Sequence, residues 1–133
     1  MYINTIVNNT DQSGIEIELF NEIIEEISKD LLISFTKNII DSNIVLDIIV
    51  KEYNVKPLIF YRDELQRIYE IKISIDVLII DKNNGASKNT NVEIVRFFND
   101  NANMIYPINE EHERIFILQK ISKNIIKYIS DNF

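Results

Sequence analysis

The chain has 133 residues and no cysteine, which leaves room for one core and excludes disulfides, thiolate nucleophiles and cysteine-bound zinc. Hydrophobic residues make up 46% and charged residues 26%, the balance of a chain that folds rather than stays disordered. Lys and Arg total 14 against 21 Asp and Glu, a formal charge of -7; this speaks against general affinity for nucleic acid, which needs a basic face to displace counterions, and against a polybasic membrane contact.

The first run, Tyr2 to Val7, has the composition of a short strand. A dense group of turn formers follows, Asn8 to Gly14, in which Asp11 or Ser13 is placed to cap the next element. From Ile15 to Asp30, apolar residues recur at Ile15, Leu19, Ile23 and Ile27, with glutamates on the opposite side; this spacing predicts an amphipathic helix. Leu31 to Thr36 reads as a short apolar strand, and residues 37–43 are ambiguous.

Ile44 to Tyr53 alternates in the manner of a strand. It continues toward Tyr61 if Pro57, which has no N–H to donate, sits at an edge, a bulge or a strand end. After a polar break over residues 62–66, Arg67 to Ile80 gives the clearest pattern in the chain. Tyr69, Ile71, Ile73, Ile75, Val77 and Ile79 alternate with Glu70, Lys72, Ser74 and Asp76, so one sheet face is buried and the other wet. A turn follows within residues 81–91, then a strand from Val92 to Phe98, completing a three-strand meander. Asn99 to Ile108 reads as a loop. Asn109 is placed to cap a last helix with an apolar stripe at Ile115, Leu118, Ile121, Ile125 and Ile129. The expected fold is a single α+β domain spanning 1–133. It is a two-layer sandwich, with two helices packed on one face of a mixed, mainly antiparallel sheet of four to five strands, in the order β-α-β-β-β-α.

Catalytic motifs are sparse. His112 is the lone histidine, so a Ser-His-Asp site would have to be built around it. Glu110, Glu111, His112 and Glu113 are consecutive and fan around a helix instead of converging on an ion, and read as a solvated acidic N-terminus. Glu25 and Glu26 diverge for the same reason. No phosphate-cradling glycine motif is present among two glycines. The expectation is a protein without catalytic residues, metal or cofactor. Phe60-Tyr61 and Phe97-Phe98 sit near strand ends, where they serve as core or as an apolar rim beside Arg62, Arg67 and Arg96. That mixture suits an amphiphile with a phosphate-bearing head.

The order of elements and several local stretches resemble the LPS-assembly lipoprotein family (LptE), the outer-membrane partner of the LptD β-barrel. The likeness runs over nearly the whole chain. It is carried by the opening Tyr2-Ile3-Asn4-Thr5-Ile6-Val7-Asn8-Asn9-Thr10, the helix start Gly14-Ile15-Glu16-Ile17-Glu18-Leu19, and the stretch Ile44 to Tyr53. The long alternating Tyr69-Glu70-Ile71-Lys72-Ile73-Ser74-Ile75-Asp76-Val77 follows, then Val95-Arg96-Phe97-Phe98-Asn99-Asp100 and the acidic Asn109-Glu110-Glu111. The resemblance implies a non-catalytic domain that plugs the LptD barrel at the periplasmic side of the outer membrane and helps lipopolysaccharide reach the outer leaflet. It also implies a lipidated N-terminal cysteine, which a trimmed chain with Met1 added would lack.

Within that resemblance, Arg62 matches the family's basic residue toward lipid A phosphates, and Arg67 and Arg96 are its neighbours in the expected lipopolysaccharide site. The loop 103–108 has no Lys or Arg at the family's second basic position. Phe60, Tyr61, Lys72, Ser74 and Asp76 are the residues expected to face the barrel. The alternative from composition alone is a cytosolic α+β interaction module, of immunity or secretion-accessory type, whose acidic surface suits a basic partner.

Overall fold

In a computed structural model the described residues are 1–29, 38, 40, 42–60, 66–101 and 110–132. They form β1 (Tyr2–Asn8), α1 (Ile15–Lys29), β2 (Ile44–Phe60), β3 (Gln66–Asp81), β4 (Ser87–Asn101) and α2 (Glu110–Asn132). The sheet order is β1-β2-β3-β4. β1 runs parallel to β2, and β2-β3-β4 is an antiparallel meander. The fold is therefore the expected α+β sandwich on a mixed sheet. The apolar run 31–36, a candidate fifth strand, and the helix cap at Asn109 lie outside the described residues.

The parallel β1–β2 pair requires a crossover, and α1 supplies it. The turn into α1 is built on Asn8 rather than on the expected Asp11 or Ser13. Asn8 Oδ1 accepts from the Thr10 N–H at 2.9 Å. Its Nδ2 donates to the Gln12 carbonyl at 2.7 Å and to Glu16 Oε2 at 3.0 Å. Gly14 then takes φ +86, and its carbonyl accepts the N–H groups of Ile17 and Glu18, each at 3.1 Å. A side chain at φ near +86 would be strained, so glycine belongs here.

Ile15, Leu19, Ile23 and Ile27 are the buried face of α1, as the spacing predicts. On α2 the buried stripe runs through Ile117, Leu118, Ile121, Ile125 and Ile129, while Ile115 is only half-buried. The expected stripe was therefore slightly rotated. α2 packs on both α1 and the sheet, which buries a broader arc than one neighbour would. These helix faces share one core with Leu46, Ile48 and Val50 of β2 and Ile71, Ile73, Ile75, Val77 and Ile79 of β3.

Two strands run longer than their apolar residues indicate. β4 begins at Ser87, because Asp81 and Gly85 close a tight turn: the Gly85 N–H donates to the Asp81 carbonyl at 2.9 Å, and the Asp81 N–H to the Ala86 carbonyl at 2.8 Å. The polar residues 87–91 then enter the ladder opposite 76–80. β2 continues past Pro57, where the register shifts between Pro57 and Ile59. That irregularity is where a residue without an N–H is tolerated.

Candidate functional site

Both helices lie on the face of the sheet that carries Ile71, Ile73 and Ile75. Among the described residues no helix or strand lies over the other face. Alternation along β3 puts Lys72, Ser74 and Asp76 on that bare face, opposite Asn54, Glu52 and Ile49 of β2 and Val95, Glu93 and Asn91 of β4.

The charges there are arranged in rows across the strands. Lys72 Nζ lies 3.5 Å from Glu52 and 2.8 Å from Glu93. The Glu93 carboxylate, then Glu52, raises the Lys72 pKa above its ordinary value. Lys51 reaches Asp76 at 3.3 Å and Lys56 reaches Glu70 at 3.7 Å. Asn91 Nδ2 donates to Asp76 at 2.7 Å and to Ser74 Oγ at 3.1 Å. The Asn91 hydrogen bond holds the Asp76 carboxyl below its usual range, opposed by burial and helped by Lys51. Further along, Asn4 and Thr5 donate to Asp47 at 2.9 and 3.0 Å. These pairs are exposed and individually weak. Together they pair each of these lysines with a carboxylate and leave a net acidic face with donors and acceptors at its surface.

The same face turns apolar at two corners. Tyr2, Val45 and Ile80 form one row, in which Val45 is buried, with the exposed Val7 and Ile49 in the next but one. At the far corner Val95 is 45% and Phe97 59% exposed.

A β-bulge creates this arrangement. Regular alternation from Ile44 would turn Glu52 inward and Tyr53 outward. The register shifts between Val50 and Glu52, so Glu52 faces Ser74 on the bare side and Tyr53 turns toward the helices. The signal is present in the sequence: apolar positions move from even numbers (44, 46, 48, 50) to odd ones (53, 55).

On the helix side Tyr53 joins a polar cluster that pattern reading missed. Arg114 is nearly buried and grips Glu18 with two hydrogen bonds, Nε to Oε2 at 2.9 Å and Nη2 to Oε1 at 3.1 Å. Its Nη1 lies 3.4 Å from the Tyr53 hydroxyl, which donates to Glu110 Oε1 at 2.6 Å. Burial pushes the Tyr53 pKa up to about 12, helped by the hydrogen bond to Glu110. Burial alone would lower the Arg114 pKa; the Glu18 carboxylate outweighs it and holds it above its ordinary value. Arg114 sits four residues before Leu118 on the apolar stripe, and that spacing was the readable sign of burial.

The residues singled out from sequence divide between regions. Lys72, Ser74 and Asp76 share the face away from the helices, where Lys72 and Asp76 are partly exposed and Ser74 is buried between its neighbours. Arg96 is on the helix side, bonded to Glu113 and stacked 3.9 Å over the Phe116 ring. Glu113, read as part of a solvated acidic turn, is buried and paired for that reason. Phe98 is buried and stacks on Tyr69 with ring centroids 5.3 Å apart, while Phe97 points the other way and is exposed. The backbones of Phe60 and Arg67 pair with each other at the far end of the sheet. Tyr61 and Arg62 lie outside the described residues.

Among the described residues no group of three His, Asp or Glu is placed to hold a metal ion, and no helix is long and apolar enough to cross a membrane. An open groove of about 260 Å³ runs between β1 and α1, lined by Ile3, Asn4, Thr5, Ile6, Glu16, Ile17 and Phe20.

No protein-family model matches this sequence, and no curated protein matches it. Solved structures do match its fold. Rare lipoprotein B from Shewanella oneidensis superposes with a TM-score of 0.63 at 14% identity, over 98% of this chain and 95% of that one. A hypothetical protein, CT253, from Chlamydia trachomatis gives 0.58 at 10% identity over 96% and 93%. The dodecameric PelC from Paraburkholderia phytofirmans gives 0.53 at 12% over 90% and 82%. The chain thus has a fold found in bacterial lipoproteins.

Proposed function

We propose that this chain is a non-catalytic lipopolysaccharide-assembly lipoprotein. In this reading it is lipid-anchored at the periplasmic face of the outer membrane and plugs an LptD-type β-barrel, assisting insertion of lipopolysaccharide. The observation that carries the reading is the sheet that, among the described residues, is covered on one side only, and on whose other face Lys51, Lys56 and Lys72 are each ion-paired within a net excess of carboxylates. A barrel interior is polar. A surface of paired charges and amides exchanges water for such a lining at little desolvation cost, whereas unpaired charges would be expensive there. The fold shared with rare lipoprotein B supports the same assignment, as does the order of elements that resembles the LptE family. In this reading Lys72, Ser74 and Asp76 belong to the face that meets the barrel, and Phe60 and Tyr61 are the further residues assigned to that contact.

The lipid contacts fall on Arg62 and Arg67. Arg96 contributes by fixing α2 to the sheet, since its guanidinium is already held by Glu113.

The test is co-expression with the LptD homologue of the same genome, followed by affinity purification in detergent through a tag on the barrel. The expected result is stable co-elution at equal stoichiometry; a barrel that elutes alone overturns the proposal. For the lipid role, Arg62→Asp should weaken binding of purified lipopolysaccharide by ~1.5–3 kcal/mol, the range of a charged hydrogen bond, with an unchanged circular dichroism spectrum. Equal binding by both proteins removes Arg62 from the site.

A further inference from the structure

Among the described residues the two edge strands of the sheet, β1 and β4, are built differently. β4 carries Lys88, Glu93 and Arg96, charges of the kind that keep an edge strand from pairing with another chain. β1 reads Tyr-Ile-Asn-Thr-Ile-Val-Asn, with no charge and no proline in a chain of net charge -7. Asn4, Thr5 and Val7 are exposed along it, with Val7 at 45%. The Asn9 N–H donates across to the Val50 carbonyl at 3.0 Å. By the two-residue alternation of a strand, the backbone groups of Val7 and Thr5 also point toward β2, and those of Ile6 and Asn8 point away from it, where no described strand lies.

That geometry is self-complementary. An antiparallel pair of β1 strands centred on Ile6 sets Ile6 against its own copy with two reciprocal backbone hydrogen bonds. It also sets Thr5 against Val7 on the bare face in both directions. Side-chain faces agree in this register: Ile6 belongs to the helix side, and Thr5 and Val7 to the other. The groove beside Ile6, flanked by Ile17 at 61% exposure, would meet its own copy across the twofold axis. Glu16, the carboxylate lining that groove, already accepts a hydrogen bond from Asn8.

We infer that the β1 edge is a homodimer interface, joining two copies of this chain through β1 into one continuous eight-stranded sheet. The inference does not rest on the barrel reading, because it concerns the isolated chain.

Sedimentation velocity of the purified chain from about 1 µM to about 500 µM tests it. The expected result is a concentration-dependent monomer–dimer equilibrium. Val7→Lys and Ile17→Glu, both at exposed positions, should each weaken it at least ~10-fold, while Val95→Lys near the opposite edge leaves it unchanged. Retained circular dichroism and thermal midpoints verify that the variants fold, and Ile17→Glu serves if Val7→Lys does not. A chain that stays monomeric throughout, or a dimer unmoved by Val7→Lys and Ile17→Glu, overturns the inference.

Discussion

The two faces of β3 share one backbone and differ in everything that decides their role. Ile71, Ile73, Ile75, Val77 and Ile79 are fully buried under the helices. Lys72 and Asp76, one residue away in each case, are held only by ion pairs and an amide at the surface. Burial of apolar area supplies stability on the first face, roughly 1.5–3 kcal/mol for each large side chain. The second face adds little, since exposed ion pairs contribute roughly 0–1 kcal/mol each. Its order is therefore not explained by folding alone and is open to selection for recognition.

The sharpest way to break this contrast is to truncate the buried side. Ile73→Ala removes a fully buried side chain from a central strand and should cost about 2–5 kcal/mol, read as a lower urea midpoint. A loss under about 1 kcal/mol would mean that the helices do not seal this face. Arg114→Ala should cost about 2 kcal/mol. It strips Glu18 of its bidentate partner, and the loss falls below that of a fully buried pair because Glu18 keeps 26% side-chain exposure and can hydrate. The double variant Arg114→Met with Glu18→Gln should recover part of it.

The Tyr53 hydroxyl offers a probe that needs no truncation. Its pKa is raised in the folded state to about 12 from the ordinary tyrosine value of 10.0. The protonated form is thus favoured by folding, and its contribution is fully present below pH 10. Stability should fall as pH rises from about 10 through about 12, by of order 1 kcal/mol, since the side chain is only partly buried and solvent screens the effect. Tyr53→Phe should flatten that segment of the pH–stability curve relative to wild type. Spectrophotometric titration at 295 nm should also show one tyrosine ionising late; a curve unchanged by Tyr53→Phe contradicts the assignment.

What the sequence made legible follows the same division. β3 was readable almost to the residue, because strict alternation has one physical solution when a single face is covered. The buried face of α1 was equally clear. Polar contributions were harder to see. Residues 87–91 belong to β4, yet their Ser-Lys-Asn-Thr-Asn composition reads as loop, and only the tight Asp81–Ala86 closure places them in the ladder. The pairing of Arg96 with Glu113 joins a strand to a helix across 17 positions, and no local spacing rule reports such a contact. The bulge after Val50 was visible only as a parity change. It matters most, because it decides that Glu52, and not Tyr53, stands beside Lys72.

The smallest expected effect sharpens the contrast from the other side. Lys72→Glu places a third carboxylate between Glu52 and Glu93, so a group of one cation and two carboxylates becomes wholly negative. The side chain stands at the surface, where water screens the repulsion, so the urea midpoint should stay close to that of the wild type. Any partner that docks on the paired row would now have to desolvate three like charges. The ratio of the two losses is the informative quantity: a urea midpoint near wild type, together with loss of co-elution with the barrel, assigns the bare face to recognition. Co-elution retained at wild-type level would show that the partner contacts the chain elsewhere.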